Sequence, residues 1–160
     1  MQLQLRLITK EDDAEMGKLI KSVLTEFKAN KPGTAYFDES TDHLSTVFTE
    51  AKSEYWVLEE TGKIVGGGGI YPTAGLPENT CELVKLYLAP ETRGKGFGKL
   101  IIGQCVEKAK ELGYKNVYLE SMPELNQAVS LYEKLDFEYL NKPLGNSGHF
   151  GCDLWMLKKL

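Results

Sequence analysis

The chain is short of the features that most quickly place a protein in a special class. It has three cysteines in 160 residues, Cys81, Cys105 and Cys152, odd in number and widely spaced. With no C-x-x-C pair, a disulfide-stapled scaffold is excluded, and a reducing compartment, the cytoplasm, is the expected location. No stretch approaches the roughly 18 apolar residues of a membrane span. The start, Met1-Gln2-Leu3-Gln4-Leu5-Arg6-Leu7, alternates polar and apolar instead of showing a basic segment and an apolar core, so neither export nor a membrane partner is expected. Basic residues are not in excess. The net charge is −4, and without a long basic cluster a nucleic-acid partner is disfavoured. His149-x-x-Cys152 is a lone ligand pair with no second pair to complete it, so no metal is expected. No repeat, low-complexity tract or linker divides the chain, which implies one domain over residues 1–160, long enough to bury a core.

What is present is ordinary in bulk, 42% hydrophobic and 26% charged, and informative in order. Leu3, Leu5 and Leu7 alternate as in a strand with one buried face. Thr9 to Asp12 resembles a capping box, and Met16, Leu19, Ile20, Val23, Leu24 and Phe27 recur at helical spacing. Asn30-Lys31-Pro32-Gly33 stops that helix. An acidic start at Asp38 to Asp42 precedes Leu44, Val47, Phe48 and Ala51, which predicts a second helix. Tyr55 to Leu58, a turn at Glu60 to Lys63 and Ile64 to Tyr71 predict a hairpin, and Cys81 to Leu88 a fourth strand. After a glycine-rich turn, Ile101, Ile102, Cys105, Val106, Ala109 and Leu112 line one side of a helix that ends at Gly113. Val117 to Leu119 reads as a strand, Asn126 to Leu135 as a helix, and Phe137 to Leu140 and His149 to Leu157 as two closing strands.

The turn Arg93-Gly94-Lys95-Gly96-Phe97-Gly98 joins the fourth strand to the helix beginning at Lys99. Consecutive backbone N–H groups and the positive end of a helix dipole meet there, which favours an anion. Three glycines in five residues permit close approach, and Arg93, Lys95 and Lys99 add charge suited to a pyrophosphate. A P-loop would need glycine at Arg93 and Ser or Thr at Leu100, so that reading fails. A dinucleotide fingerprint starting at Gly94 reaches Lys99 where glycine is required, and Gly66-Gly67-Gly68-Gly69 fails at Tyr71 and Pro72.

What remains, R-x-x-G-x-G after Ala89-Pro90-Glu91, resembles the coenzyme A loop of the GNAT acetyltransferase superfamily. Downstream, Asn126 to Phe137 resembles that superfamily's second signature, N-x-x-A-x-x-x-Y-x-x-x-G-F, with Asp136 in place of the glycine. Asp136 is then expected in the left-handed conformation that follows a helix. The resemblance covers most of the chain. It implies an α/β (α+β) fold, with a mixed central sheet of about seven strands flanked by about four helices.

The same resemblance implies acetyl-CoA as co-substrate and an amine acceptor, either a small molecule or a peptide. Leu86 and Leu88 would hold the thioester and pantetheine arm through their backbone, with N–H groups near Leu86 stabilising the oxyanion; Arg93, Gly94, Lys95, Gly96, Phe97, Gly98 and Lys99 would hold the phosphates. Asn126 looks like a cofactor contact, and its alternative role is a helix N-cap. Glu82, 11 positions before Arg93, matches the family's catalytic glutamate, and an ordinary carboxyl pKa of about 4.3 is too low for a base unless burial raises it. The alternative is an outward-facing strand residue. Tyr132 matches the general acid, with core packing as its alternative. Lys85 reads as a solvated strand residue. The acceptor would meet Tyr36 and Phe37 in one loop and His149 in another, where the imidazole is a base, an acceptor ligand or a surface residue. Glu120 and Asp153 would supply negative charge or stand as solvated strand ends, and Glu82, His149 and solvent all remain open as the base. A non-catalytic acyl-CoA sensor, a protein-lysine or N-terminal acetyltransferase, and a monomer or homodimer all remain open.

Overall fold

The computed structural model describes residues 2–160. Its strands are β1 (Leu3–Leu7), β2 (Glu54–Glu60), β3 (Lys63–Tyr71), β4 (Thr80–Leu88), β5 (Asn116–Ser121), β6 (Glu138–Leu140) and β7 (Leu154–Lys159). They form one seven-stranded sheet in the order β1-β2-β3-β4-β5-β7-β6. The helices are α1 (Asp13–Glu26), α2 (Leu44–Val47), α3 (Phe97–Glu111) and α4 (Asn126–Lys134). All neighbouring strands run antiparallel except β4 and β5, which makes the sheet mixed, as expected.

Alternation along the central strands divides the core in two. Trp56, Leu58, Cys81, Leu83, Val117 and Leu119 pack beneath α3 and α4, while Tyr55 and Val57 pack beneath α1 with Met16, Ile20 and Leu24. Both faces are covered, so the central strands read as nearly continuous apolar runs. β1 differs. It is an edge strand, and Leu3 and Leu7 are 38% and 51% exposed, so the buried face expected for it reduces to Leu5.

The second expected helix is mostly absent. Two 3₁₀ turns, Ala35–Phe37 and Glu39–Asp42, precede the four-residue α2. Asp38 between them is extended, Thr41 donates to the Ala35 carbonyl at 2.6 Å, and Asp38 is held by partners distant in sequence. These bonds outweigh the local helical pattern, although Leu44 still reaches the core. The last strand also begins later than expected, at Leu154, which leaves His149 in the preceding loop. Asp136 is left-handed, φ 68°, as the signature required.

Two features of the sheet open the site. Gly67 and Gly69 of β3 pair with Tyr87 and Val84 of β4, so Gly68 faces both Lys85 and Leu86 across a bulge at which Lys85 has φ 52°. Tyr55 locks this bulge. Its ring lies over β3 where a Cβ on Gly67 or Gly69 would come within 2.9 or 2.6 Å of it, and its hydroxyl donates to the Lys85 carbonyl at 2.6 Å. The glycine run is therefore a bed for an aromatic ring. Secondly, β4 pairs with β5 only over Thr80 to Glu82 against Asn116 to Tyr118. Beyond that the strands diverge and leave one edge of β4 without a partner strand.

Candidate active site

The divergence creates a cleft of about 420 Å³ running along β4 between Leu131 and Tyr132 of α4 on one side and Val23 and Phe27 of α1 on the other. A larger depression of about 910 Å³ lies on the outer face of α1, beside Lys18 and Lys21. It is shallow, and Lys21 is already paired with Asp42 at 2.8 Å. The cleft is where backbone and side-chain chemistry converge.

At one end stand the N–H groups of Gly94, Lys95, Gly96, Phe97, Gly98 and Lys99. Among the described residues none of the six has a hydrogen-bond acceptor; the first N–H of this segment to find one is that of Leu100, bonded to the Gly96 carbonyl at 3.1 Å. Consecutive N–H groups left free at the start of a helix and beside a cleft fit an anion. Gly94 and Gly96 are left-handed, φ 78° and 81°, and a Cβ on either would meet nothing within 4 Å. Gly98 is different: a Cβ there would come within 2.7 Å of the end of the Leu131 side chain, which would have to shift to admit it. Lys95 and Lys99 form no ion pair among the described residues, whereas the Arg93 guanidinium is committed to Glu26 at 2.6 and 2.9 Å and to the Leu88 carbonyl at 3.0 Å. Arg93 also lies over the Phe27 ring. It lines the cleft, but its charge braces the end of α1. Asn126 is exposed at the start of α4, without a capping bond and outside the cleft lining, where Gln127 and Ser130 stand instead.

Asparagine at position 96 tests the anion site, because it tolerates the left-handed conformation while placing a side chain in the open space. Gly96→Asn is expected to weaken coenzyme A binding by at least about tenfold with little change in melting temperature. Unchanged affinity by calorimetry would remove the phosphate-cradle argument.

The middle of the cleft is lined by Leu86, Tyr87 and Leu88 of β4 and Tyr132 of α4. Tyr132 is 7% exposed and packs against Phe137, centroids 5.8 Å apart. Burial raises its phenol well above the usual range. Its hydroxyl has no hydrogen-bond partner, yet the sole sealed and unpartnered side-chain polar atom among the described residues is Glu60 Oε2, so the Tyr132 hydroxyl opens to the cleft. Packing and a chemical role coexist in this residue.

At the far end the polar groups gather on the α1 face. Glu82 and Glu120 project to one side because Glu82 pairs with Tyr118, two residues from Glu120. Ligand atoms of Glu82, Glu120 and His149 lie within 4.8 Å of one another, an arrangement that offers negative charge to a cation. Burial pushes the Glu82 carboxyl up to about 7, despite a hydrogen bond from Thr73 at 2.6 Å that opposes the rise. Glu120 accepts from Tyr118 at 2.6 Å and from Ser147. His149 Nε2 lies 2.6 Å from Asp38, and Lys85 Nζ 2.8 Å from the same carboxylate. Lys85 is therefore not the solvated residue its place in the strand suggests; its side chain is 7% exposed, because the bulge turns it toward Asp38. Burial would raise Asp38, but His149 and Lys85 outweigh it and hold the carboxyl at about 2. Burial likewise opposes charge on His149, and the Asp38 bond reverses this and raises the imidazole pKa. The two loops expected to meet an acceptor are thus joined at Asp38–His149 and again where Gly151 N–H donates to the Gly33 carbonyl at 2.9 Å. Phe37 and Phe150, each adjacent to one member of the pair, are 61% and 81% exposed at its outer side. Tyr36 turns inward and packs on the α1-side core. Asp38 was invisible to sequence reasoning, since its partners are 47 and 111 residues away.

A mixed sheet split between β4 and β5, with an anion loop at one end and carboxylates at the other, defines an acyltransferase architecture. Its solved relatives share it. An acetyltransferase of the GNAT family from Staphylococcus aureus Mu50 superposes with a TM-score of 0.86 over 99% of both chains at 16% identity. The PaiA N-acetyltransferase from Thermoplasma acidophilum, in complex with coenzyme A, gives 0.78 over 100% of both at 19%. In sequence, residues 19–137 match the Acetyltransferase (GNAT) family, and the chain belongs to that family. It is 39% identical over 158 residues to the uncharacterized N-acetyltransferase YjgM of Escherichia coli (strain K12), covering 98% of this chain and 94% of that protein. Human N-acetyltransferase 8B is 31% identical over 119 residues, which cover 70% of this chain and about half, 52%, of the human protein. The chain is an N-acetyltransferase of a family that uses acetyl-CoA.

Proposed function

We propose that this acetyltransferase transfers the acetyl group to the primary amine of a small molecule by direct attack, with acetyl-CoA and amine bound together. The observation that carries this reading is the continuity of the cleft from the free N–H groups at the α3 end to Glu120 at the other, whose carboxylate lies within 4.8 Å of that of the buried Glu82. The loop fits a pyrophosphate, and the unpaired edge of β4 at Leu86 and Leu88 fits the arm between phosphate and thioester. Acetyl-CoA supplies the activated acyl carbon.

The amine arrives mostly as a cation, pKa about 8 to 10.4. Glu120 and Glu82 attract it, and Glu82 takes its proton. A carboxyl pushed up to about 7 is matched to this task near neutral pH, where an ordinary one is too weak a base. Tyr132 donates its proton to the departing sulfur as charge develops there. A covalent route through a cysteine is disfavoured because burial pushes the Cys81 and Cys152 thiols up to about 12 and raises Cys105 as well, which leaves no thiolate at neutral pH.

Free-thiol release from acetyl-CoA, measured across polyamines, amino acids, aminoglycosides and lysine peptides, tests the reading. Turnover with small amines and none with peptides is the expected result; peptide-only turnover would replace it with a protein acetyltransferase. Coenzyme A at 100 times its dissociation constant should add about 2.7 kcal/mol of stability. ATP and NAD should leave the melting temperature unchanged, and stabilisation by either in place of coenzyme A would contradict the assignment of the loop.

A further inference from the structure

The cleft carries two phenols that face it from opposite walls. Tyr132 comes from α4 on the α3 side of the sheet, and Tyr87 comes from β4 itself and packs with the α1-side core, yet both line the same cavity. Neither hydroxyl has a hydrogen-bond partner among the described residues, and neither is sealed from the cavity. The buried tyrosines outside the cleft behave otherwise. Tyr55, Tyr114 and Tyr118 donate to the Lys85 carbonyl, the Lys52 carbonyl and Glu120 at 2.6, 2.8 and 2.6 Å. Both hydroxyls open to the cavity, so the protein leaves each donor to whatever occupies it. A cleft that leaves two of them free is shaped to donate to what fills it.

From the anion loop, β4 runs back through Leu88, Tyr87 and Leu86 to the bulge at Lys85 and on to Glu82. Tyr87 lines the same cleft as Lys85, which pairs with Asp38, and Glu120, whose carboxylate lies within 4.8 Å of that of Glu82. The Tyr87 phenol has its ionisation suppressed by burial first, and further by Tyr132, Cys152 and Asp38. It therefore stays a donor at any pH at which the enzyme works.

We infer that Tyr87 is a second catalytic phenol, donating a hydrogen bond to the thioester carbonyl oxygen from the wall opposite Tyr132. The inference rests on the proposed direct attack. As the amine nitrogen bonds to the acyl carbon, the carbonyl electron pair moves onto oxygen, where the Tyr87 O–H meets it. The pair then returns, the carbon–sulfur bond breaks and sulfur takes the Tyr132 proton. Of the two protons the ammonium gives up, Glu82 holds the first, and the second, lost from nitrogen as the amide forms, passes through solvent to restore the Tyr132 phenol. Tyr87 transfers no proton and is unchanged at the end. Donors aimed at a developing oxyanion act in this way in acyl transfer generally.

The test needs no acceptor. Acetyl-CoA labelled with ¹³C at the carbonyl is bound to the wild type, Tyr87→Phe and Tyr132→Phe, and its carbonyl band is read by isotope-edited infrared spectroscopy, with calorimetry confirming saturation. The wild-type band should lie below its position in solution, Tyr87→Phe should move it back up, and Tyr132→Phe should leave it in place. In thiol release Tyr87→Phe should lower kcat at least tenfold with KM for acetyl-CoA within about twofold of wild type. A carbonyl band identical in wild type and Tyr87→Phe overturns the proposal while leaving the acetyltransferase reading intact. Failure of acetyl-CoA to bind the wild type overturns both. A Tyr87→Phe variant that loses activity only in proportion to a lowered melting temperature assigns Tyr87 to packing.

Discussion

Glu82→Gln is expected to lower kcat/KM by about 10²-fold or more above pH 7 and to abolish the acidic limb of its pH profile. The wild-type carboxyl, pushed up to about 7, is protonated below that pH and cannot accept a proton, so the rate should fall about tenfold per unit as pH drops beneath 7. The amine's own ionisation produces a similar limb. A weakly basic acceptor, already neutral in this range, separates the two. His149→Gln should keep the limb, because the imidazole is engaged by Asp38. If the glutamine variant retains wild-type rates with a weakly basic amine, Glu82 is not the base. Stability supplies an independent sign. The folded carboxyl has a pKa raised from 4.5, so the protonated form stabilises the fold below about pH 4.5 and that contribution is lost as pH rises through 7. Glutamine lacks this loss. The variant should therefore be more stable than wild type above pH 7, by on the order of 3 kcal/mol, and no more stable below pH 4.5. A less active and more stable variant is what a residue strained for function gives.

Tyr132→Phe should lower kcat by about 10²-fold or more with acetyl-CoA affinity close to wild type. The ring, which fills the space against Phe137, is kept, and the hydroxyl, which bonds to nothing in the protein, is removed. The melting temperature should accordingly hold or rise slightly. A normal kcat, with chemistry shown to limit the rate, would reduce Tyr132 to packing.

Much of this arrangement was legible in the chain because its signals are local. The turn from Arg93 to Gly98, the strand before it and the amphipathic helix after it each carry their own pattern, and Asp136 announces the left-handed residue after α4. The base and acid candidates followed from the two signatures. What escaped depends on contacts between distant segments. The bulge at Lys85 leaves no mark in Leu83-Val84-Lys85-Leu86, because it is set by the Tyr55 ring lying on Gly67 and Gly69 from a neighbouring strand. Asp38 read as the acidic start of a helix, yet it is taken by Lys85 and His149, so the helix shrinks to one turn. Arg93 looked like a phosphate ligand by its motif and is held by Glu26, which no spacing rule predicts. Tyr87 carries no local signal within Cys81 to Leu88, since its place in the cleft and its free hydroxyl depend on what the fold packs around it.

The central claim is that coenzyme A lies along β4 with its phosphates on the N–H groups at the start of α3. Titrating coenzyme A into ¹⁵N-labelled protein and following backbone amide resonances tests it directly. The account predicts the largest shifts at Gly94 to Lys99, with a second group from Leu83 to Leu88 and smaller changes around Tyr132. Saturable shifts confined to other elements, with the amides of residues 94–99 unmoved, would contradict it.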